Sequence, residues 1–320
     1  MHGIDNNLRR DFFGEDGGTS RNLERLERVT VRVVHHDLDI RDRALVSNLI
    51  AESRPGLIVH AAAQPSHDFA ARRPFDDFEV NAVGTLNLLE AARAHCAESP
   101  FVFLSHEQGL RGHAQPAHSR GAGDALGLRG RRPAGGHRRD LPRRRDHAQP
   151  LRRLEARGGR ARAGVRPYFG MPTVCLRGGC LTGPNHAAAE LHGFLAFLAY
   201  AVRTGLRYQV VGYKGKQARD NLHAFDVCTA IMAFAERPRP AAVYNLGEER
   251  GNSVSMLEAI ERFESVFGRK LTWEYMDEPM RDDHICYISD TRRFRGDYPG
   301  WSPSKSLDAI FEELADQGRA

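Results

Sequence analysis

No run of eighteen apolar residues occurs in this chain of 320 residues, so a membrane-spanning helix is not expected. The opening Met1-His2-Gly3-Ile4-Asp5 lacks both the basic region and the apolar core of a secretory leader, which points to the cytoplasm. Cysteine is scarce: Cys96, Cys175, Cys180, Cys228 and Cys286 are odd in number and include no C-x-x-C pair. That spacing argues against a disulfide framework and a zinc site, and buried free thiols are the expectation. Another absence is local. Between Ser105 and Arg166 there is no Phe, Tyr, Trp, Ile, Met, Thr, Asn or Lys, and such a stretch cannot build a buried layer. It holds 16 Arg against Glu107, Asp124, Asp140, Asp146 and Glu155, a balance of +11 in a chain of formal net charge +5, so the remainder carries −6. The basic character therefore belongs to one segment.

What is present centres on Leu57 to Arg93. Leu57-Ile58-Val59-His60-Ala61-Ala62-Ala63-Gln64 passes from an apolar run into small residues, as a buried parallel strand does where its carboxyl end meets a ligand. Beyond the loop Pro65 to Asp77, residues Val80, Val83, Leu86, Leu88, Leu89 and Ala92 recur near helical spacing. Strand, crossover and amphipathic helix in that order make half of a doubly wound sheet. Upstream, Asn22 to Arg28 reads as a short helix, Val29 to His36 as a strand, and Arg43 to Ser53 as a helix opened by Asp42. Downstream, Phe101 to Ser105 and Thr173 to Leu176 read as strands, and Leu191 to Thr204 and Ser306 to Leu314 as helices. Ser255 and Glu258 have capping-box spacing.

Three stretches resemble a known family. His60-Ala61-Ala62-Ala63-Gln64, followed by Asn81-Ala82-Val83-Gly84-Thr85-Leu86-Asn87-Leu88-Leu89-Glu90-Ala91, is similar to the extended short-chain dehydrogenase/reductases of the NAD-dependent epimerase/dehydratase type, which act on nucleotide-linked sugars. The run from Gly212 to Asp226 matches the family's Gly-x-x-Gly-x-Gln-x-Arg-Asp-x-x-His-x-x-Asp through Gly215, Gln217, Arg219, Asp220 and His223. Arg177 to Pro184 resembles its Arg-x-x-x-x-Tyr-Gly-Pro turn, with Thr182 where Tyr is commonest. The resemblance covers about Met1 to Ser105 and Tyr168 to the end.

It implies an α/β fold, a Rossmann-like doubly wound parallel sheet lacking its first strand and glycine turn, with a smaller C-terminal substrate lobe. Residues 1–104 would form a partial NAD-binding domain, 105–166 the Arg-rich segment, 167–179 a return to the sheet and 180–320 mainly the nucleotide-sugar lobe. By resemblance, Asp5 meets the ribose hydroxyls, Asp39 and Ile40 the adenine, and Ala61, Ala62, Gln64 and Asn81 line the NAD site. Asn185, Arg219 and Arg281 fall to the nucleotide sugar, the arginines gripping its diphosphate. Asp220 and Asp226 are expected to hold loops and cap helices. The implied partners are a nucleotide-sugar substrate and, as an option, a second copy in a homodimer; no membrane is expected, and nucleic acid on the Arg-rich segment is the less favoured reading.

Two family features are missing. No strand-Gly-x-x-Gly-x-x-Gly-helix precedes His2, so the pyrophosphate of NAD lacks its usual helix N-terminus and cofactor retention is expected to be poor. After Ser105 the family continues Ser-Thr-Asn-Lys-Val-Tyr-Gly and later supplies Tyr-x-x-x-Lys; here His106 to Gly112 reads otherwise, and no catalytic residue is assigned. Encoding His106 to Gly112 as CAC GAA CAA GGT CTA CGG GGA and dropping one base yields Thr-Asn-Lys-Val-Tyr-Gly, and Pro150 to Glu155 can yield a Tyr or Phe followed by Gly-Ala-Ser-Lys. The Arg-rich segment is therefore read as frameshifted and disordered, and this copy as catalytically impaired. Within the family the motifs are most similar to the CDP-paratose 2-epimerases, with UDP-glucose 4-epimerases and nucleotide-sugar dehydratases as neighbours and a non-catalytic remnant as the other class.

Overall fold

The computed structural model describes residues 1–30, 32–64, 67–106, 119–122, 125–128, 170–187, 189, 193–239, 241–277 and 285–316. Strand β1 (His2–Ile4) leads into α1 (Leu8–Phe13) and α2 (Ser20–Val29). Because α2 runs through Val29, closing with Thr30 N–H on the Leu26 carbonyl, the strand expected from Val29 begins only at Val34, as β2 (Val34–His36). Asp42 accepts from the Ala44 and Leu45 amides and opens α3 (Arg43–Ser53) as anticipated. Next come β3 (Ile58–His60), α4 (His67–Arg72), α5 (Pro74–Phe78), a π-helical stretch Glu79–Gly84, α6 (Thr85–His95) and β4 (Phe101–His106). Both residues flanking the π stretch, Phe78 and Thr85, are themselves helical, so α5 and α6 form one rod with a local widening at Asn81.

An antiparallel pair, β5 (Ser119–Ala122) and β6 (Ala125–Leu128), precedes β7 (Thr173–Gly178) and β8 (Cys180–Thr182). Then come α7 (Phe194–Thr204), β9 (Tyr208–Val211), β10 (Ala218–His223), α8 (Ala224–Glu236), β11 (Ala242–Leu246) and β12 (Ser253–Ser255). The chain closes with α9 (Met256–Phe267), β13 (Trp273–Met276), β14 (Cys286–Tyr287), α10 (Arg292–Asp297) and α11 (Leu307–Asp316). The capping box is present in both halves: Ser255 Oγ accepts from the Glu258 amide and Glu258 Oε2 from the Ser255 amide.

Contacts divide the chain into two compact units. In the first, which includes Met1–Ser105, β1 and β2 pair in parallel with His2 opposite Val34, and β3 pairs in parallel with β4. The larger sheet has the order β11-β7-β4-β3. Ile58 of β3 and Val46, Ile50, Leu88 and Leu89 of α3 and α6 build one apolar cluster, with Ile4 of β1 packed against it. Burying each such side chain contributes about 1.5–3 kcal/mol. Yet among the described residues no strand hydrogen-bonds to both β1 and β3. In a 3-2-1-4-5-6 sheet that position belongs to the first strand. The Asp5 amide donates to His36 and the Ile58 amide to Pro100, so the polar groups of Ile4 and Val59 face away from the partner strands.

The second unit includes Arg177–Ala233 and Tyr244–Ala320. Its core is a three-helix layer in which Leu195, Leu198 and Val202 of α7 meet Ile260 and Phe263 of α9 and Ile310, Phe311 and Leu314 of α11. The Phe263 and Phe311 rings lie 4.4 Å apart, centroid to centroid. Residues 256, 259, 260 and 263 recur at helical spacing because one face of α9 alone is apolar and buried. Of the five cysteines, Cys175 and Cys286 are buried, Cys96 and Cys180 half-buried and Cys228 exposed, so the expectation of buried thiols fails at Cys228, which lies on the outer face of α8. No helix of the described residues is long and apolar enough to cross a membrane.

Candidate functional site

In the first unit the expected cofactor residues gather at the carboxyl ends of β1, β2 and β3. Asp5 accepts from the Asn7 amide at 2.7 Å, and Asn6 Nδ2 donates to Asp39 Oδ2 at 3.0 Å, which ties the turn after β1 to the turn after β2. Asp39 is gripped by Arg41, Nη2 to Oδ2 at 2.6 Å, and that guanidinium holds its carboxyl below the usual range. Arg41 also reaches Asp76 and Glu79, each at 3.6 Å, so the loop is anchored to the α5–π–α6 rod. The Ile40 side chain is buried against Gly84, where a Cβ would stand 2.5 Å from Ile40 Cδ1. The structure thus gives that side chain a packing role. Asn87 Nδ2 completes the clamp by donating to the Ile40 and Arg41 carbonyls.

After β3 the chain presents Ala61, Ala62 and Ala63, all exposed, and then Gln64, 2% exposed. Asn81 Oδ1 accepts from the Gln64 amide at 2.9 Å while its Nδ2 donates to the Gln64 carbonyl at 3.1 Å and to Asp77 Oδ1 at 2.9 Å. Gln64 Nε2 donates to the same Asp77 oxygen. Asn81 sits within the π stretch Glu79–Gly84. Thus Asp5, Asp39 and Ile40 follow β1 and β2, Ala61, Ala62 and Gln64 follow β3, and the rod that carries Asn81 is tied to both turns. Three alanines backed by a fixed loop fit the close approach of a planar cofactor to main chain, and the carboxyl end of parallel strands is where α/β sheets take nucleotides. Arg41, Asp76 and Asp77 escape a sequence reading because their spacing serves contacts distant in the chain.

In the second unit the site is β10. Arg219 lies opposite Val254 of β12 on one side and Tyr287 of β14 on the other. Its neighbour Asp220, 1% exposed, accepts from the Glu248 amide with Oδ1 and the Ser289 amide with Oδ2, both at 3.0 Å. Burial, opposed by these donors, pushes the Asp220 carboxyl up to about 7. Any side chain on Gly247 would overlap Asp220 Oδ2 and Ser289 Oγ. Asp226 receives Ser304 N and Oγ and Lys305 N, holding the turn before α11. Both aspartates are loop anchors, as expected. His223 accepts the Phe225 amide on Nδ1, so its Nε2–H donates to Glu313, which also pairs with Lys305 at 2.6 Å.

Asn185 is exposed and follows β8, whose Thr182 is opposite His223. Arg219 enters β10 four residues earlier, roughly 13 Å along the strand. The two lie at opposite ends of β10. Arg281 lies outside the described residues, as does the Arg-rich segment apart from β5 and β6. Among the described residues no three His, Cys, Asp or Glu side chains converge on a metal position.

Comparison with known proteins bears on the fold and the family. The profile of GDP-mannose 4,6 dehydratase matches residues 9–106 and that of the NAD dependent epimerase/dehydratase family residues 161–247. The chain is 24% identical over 306 residues to UDP-glucose 4-epimerase of Bos taurus, spanning 93% of this chain and 84% of the relative. It is 25% identical over 286 residues to CDP-paratose 2-epimerase of Salmonella typhi, spanning 87% and 82%. The solved UDP-glucose 4-epimerase of Thermus thermophilus, a complex with NAD, superposes with a TM-score of 0.77 at 23% identity over 92% of this chain and 87% of that one. The fold is therefore that of the Rossmann-type α/β epimerases and dehydratases. The chain is similar to the NAD-dependent epimerase/dehydratase family, whose model matches its residues 161–247.

Proposed function

We propose that this chain is a nucleotide-sugar epimerase of the CDP-paratose 2-epimerase type whose catalytic segment is altered, leaving ligand binding ahead of turnover. The observation that carries the reading is β10, where Arg219, half-buried, stands between β12 and β14 with a guanidinium available in kind for a diphosphate, while its neighbour Asp220 ties the Glu248 and Ser289 turns to the strand. A planar guanidinium grips two phosphoryl oxygens at once. Ala61 to Ala63, Gln64 and Asn81 would hold NAD, with Asp5 directed to its ribose and the Asp39–Ile40 loop to its adenine; when bound, NAD supplies reversible hydride transfer. Asn185 and Arg281 complete the substrate set. A second reading, UDP-glucose 4-epimerase, is supported by several relatives of that name at similar identity, from Bos taurus and Homo sapiens among others.

Calorimetric titration with CDP and UDP tests the choice. Binding of CDP at least tenfold tighter than UDP supports the first reading, the reverse supports the second, and binding of neither defeats both. NAD released on denaturation would show that this chain retains the cofactor.

A further inference from the structure

β1 and β2 bring two imidazoles together on one face of their ladder. His2 lies opposite Val34 and Ile4 opposite His36, so His2 and His36 share a face one diagonal step apart, while His35, opposite Gly3, is on the other face. Backbone bonds pin both ends of that step: the Val34 amide donates to the Met1 carbonyl at 2.9 Å and the Asp5 amide to the His36 carbonyl at 3.2 Å. The rings meet through His2 Nδ1 and His36 Nε2, 2.9 Å apart. Their centroids are 5.2 Å apart and their planes 14° apart, so the nitrogens face each other edge to edge, nearly in one plane, with a single proton between them. The Met1 amine is turned elsewhere, donating to the Arg32 carbonyl at 2.7 Å.

A metal ion could take the place of that proton. Two nitrogens about 2.0–2.1 Å from one ion stand about 2.9 Å apart when they meet it at right angles and about 3.3 Å apart in a tetrahedral shell. The observed separation matches the right-angled case, the preference of copper and nickel over zinc. Both rings reach solvent, His2 exposed and His36 half-buried, and a turn about each Cβ–Cγ bond brings the two lone pairs onto one ion. We propose that His2 and His36 form a two-imidazole site for a divalent late transition-metal ion, Cu²⁺ above Zn²⁺, with water in the remaining positions. Bound there, the ion joins β1 to β2 through side chains, in the pair of strands that no ladder links to β3 among the described residues. The site uses none of the residues of the nucleotide-sugar reading.

The test titrates the full chain with Cu²⁺ and with Zn²⁺ in a calorimeter, and follows bound copper by electron paramagnetic resonance. With 15 His and 5 Cys in the chain, the site is read as the difference between the parent and its variants. His2→Ala and His36→Ala are each expected to weaken one Cu²⁺ site at least tenfold and to remove one nitrogen donor from its spectrum. His36→Gln should lose the site equally while keeping the circular dichroism of the parent, and His35→Ala should keep it. Zn²⁺ should bind there at least tenfold more weakly, and Cu²⁺ should slow exchange of the Gly3 and Asp5 amides in the parent but not in His36→Gln. Copper binding indifferent to His36→Gln overturns the proposal, as does equal loss in His35→Ala or zinc bound as tightly as copper. Loss of the site when residues are added before Met1 overturns it too, by assigning the copper to the terminal amine.

Discussion

Asn81 holds both backbone polar groups of Gln64, accepting its N–H at 2.9 Å and donating to its carbonyl at 3.1 Å, from inside a π-helical turn. One amide side chain thereby replaces the two partners that a neighbouring strand would give. The exposed Ala61 to Ala63 run depends on it for position.

Asn81→Asp keeps the bond from the Gln64 amide but sets a carboxylate against the Gln64 carbonyl and the buried Asp77. An unpaired buried charge costs about 3–5 kcal/mol, against roughly 1–3 kcal/mol for the lost bonds of Asn81→Ala. Urea unfolding should show the larger destabilisation in Asn81→Asp, while hydrogen exchange should show the Gln64 amide losing more local protection in Asn81→Ala, which removes its acceptor. Equal protection in the two variants would count against the network.

Gly247→Ala should destabilise the second unit by about 1–3 kcal/mol, since its methyl overlaps a carboxylate already held by two amides. Ser255→Ala removes one half of the capping box and should cost about 1 kcal/mol. Urea unfolding followed by fluorescence of Trp301, buried beside Asp226 and Thr229, checks both. A larger effect from the cap than from the glycine would contradict the packing described at Asp220.

Stability of that unit should fall as pH rises from about 4 to about 7. Burial holds the Asp220 carboxyl up at about 7, while the unfolded chain titrates near the ordinary 3.8. Between those values the folded state keeps a proton that the unfolded state has lost, so the unfolded state gains on raising the pH, by a few kcal/mol in all. Above pH 7 the contribution levels off. Asp220→Asn should flatten the dependence of the urea midpoint across this window. A slope of the same size in that variant would assign it to other groups.

Local signals in the chain were enough for the elements whose ends are chemically marked. Asp42 and Ser255 cap where their spacing puts them, and Asp220 within β10 and Asp226 in the first turn of α8 hold loops as their acidic character suggests. The extent of β2 was not legible, because Val31 and Val33 carry strand preference while the α2 helix before them runs on to Val29. Nor was the inward turn of Ile40, which depends on Gly84 more than forty residues away leaving space. Arg41 meeting Asp76 and Glu79 is likewise a contact between segments that no period in the sequence relates.

Ile4 and Val59 direct their backbone polar groups away from the ladders that hold their neighbours. Among the described residues the β1–β2 pair is thus joined to its own unit through side chains such as Ile4 and not through a ladder to β3. Side-chain contact gives way gradually under thermal fluctuation, whereas a ladder opens as a row. Residues His2 to Asp5 should therefore open as a separate foldon under native conditions, at a lower free energy than Ile58 to His60. In exchange experiments the amides of Gly3 and Asp5 would lose their protons together, ahead of those on β3, and a ligand that spans the two edges would draw both sets onto a single timescale.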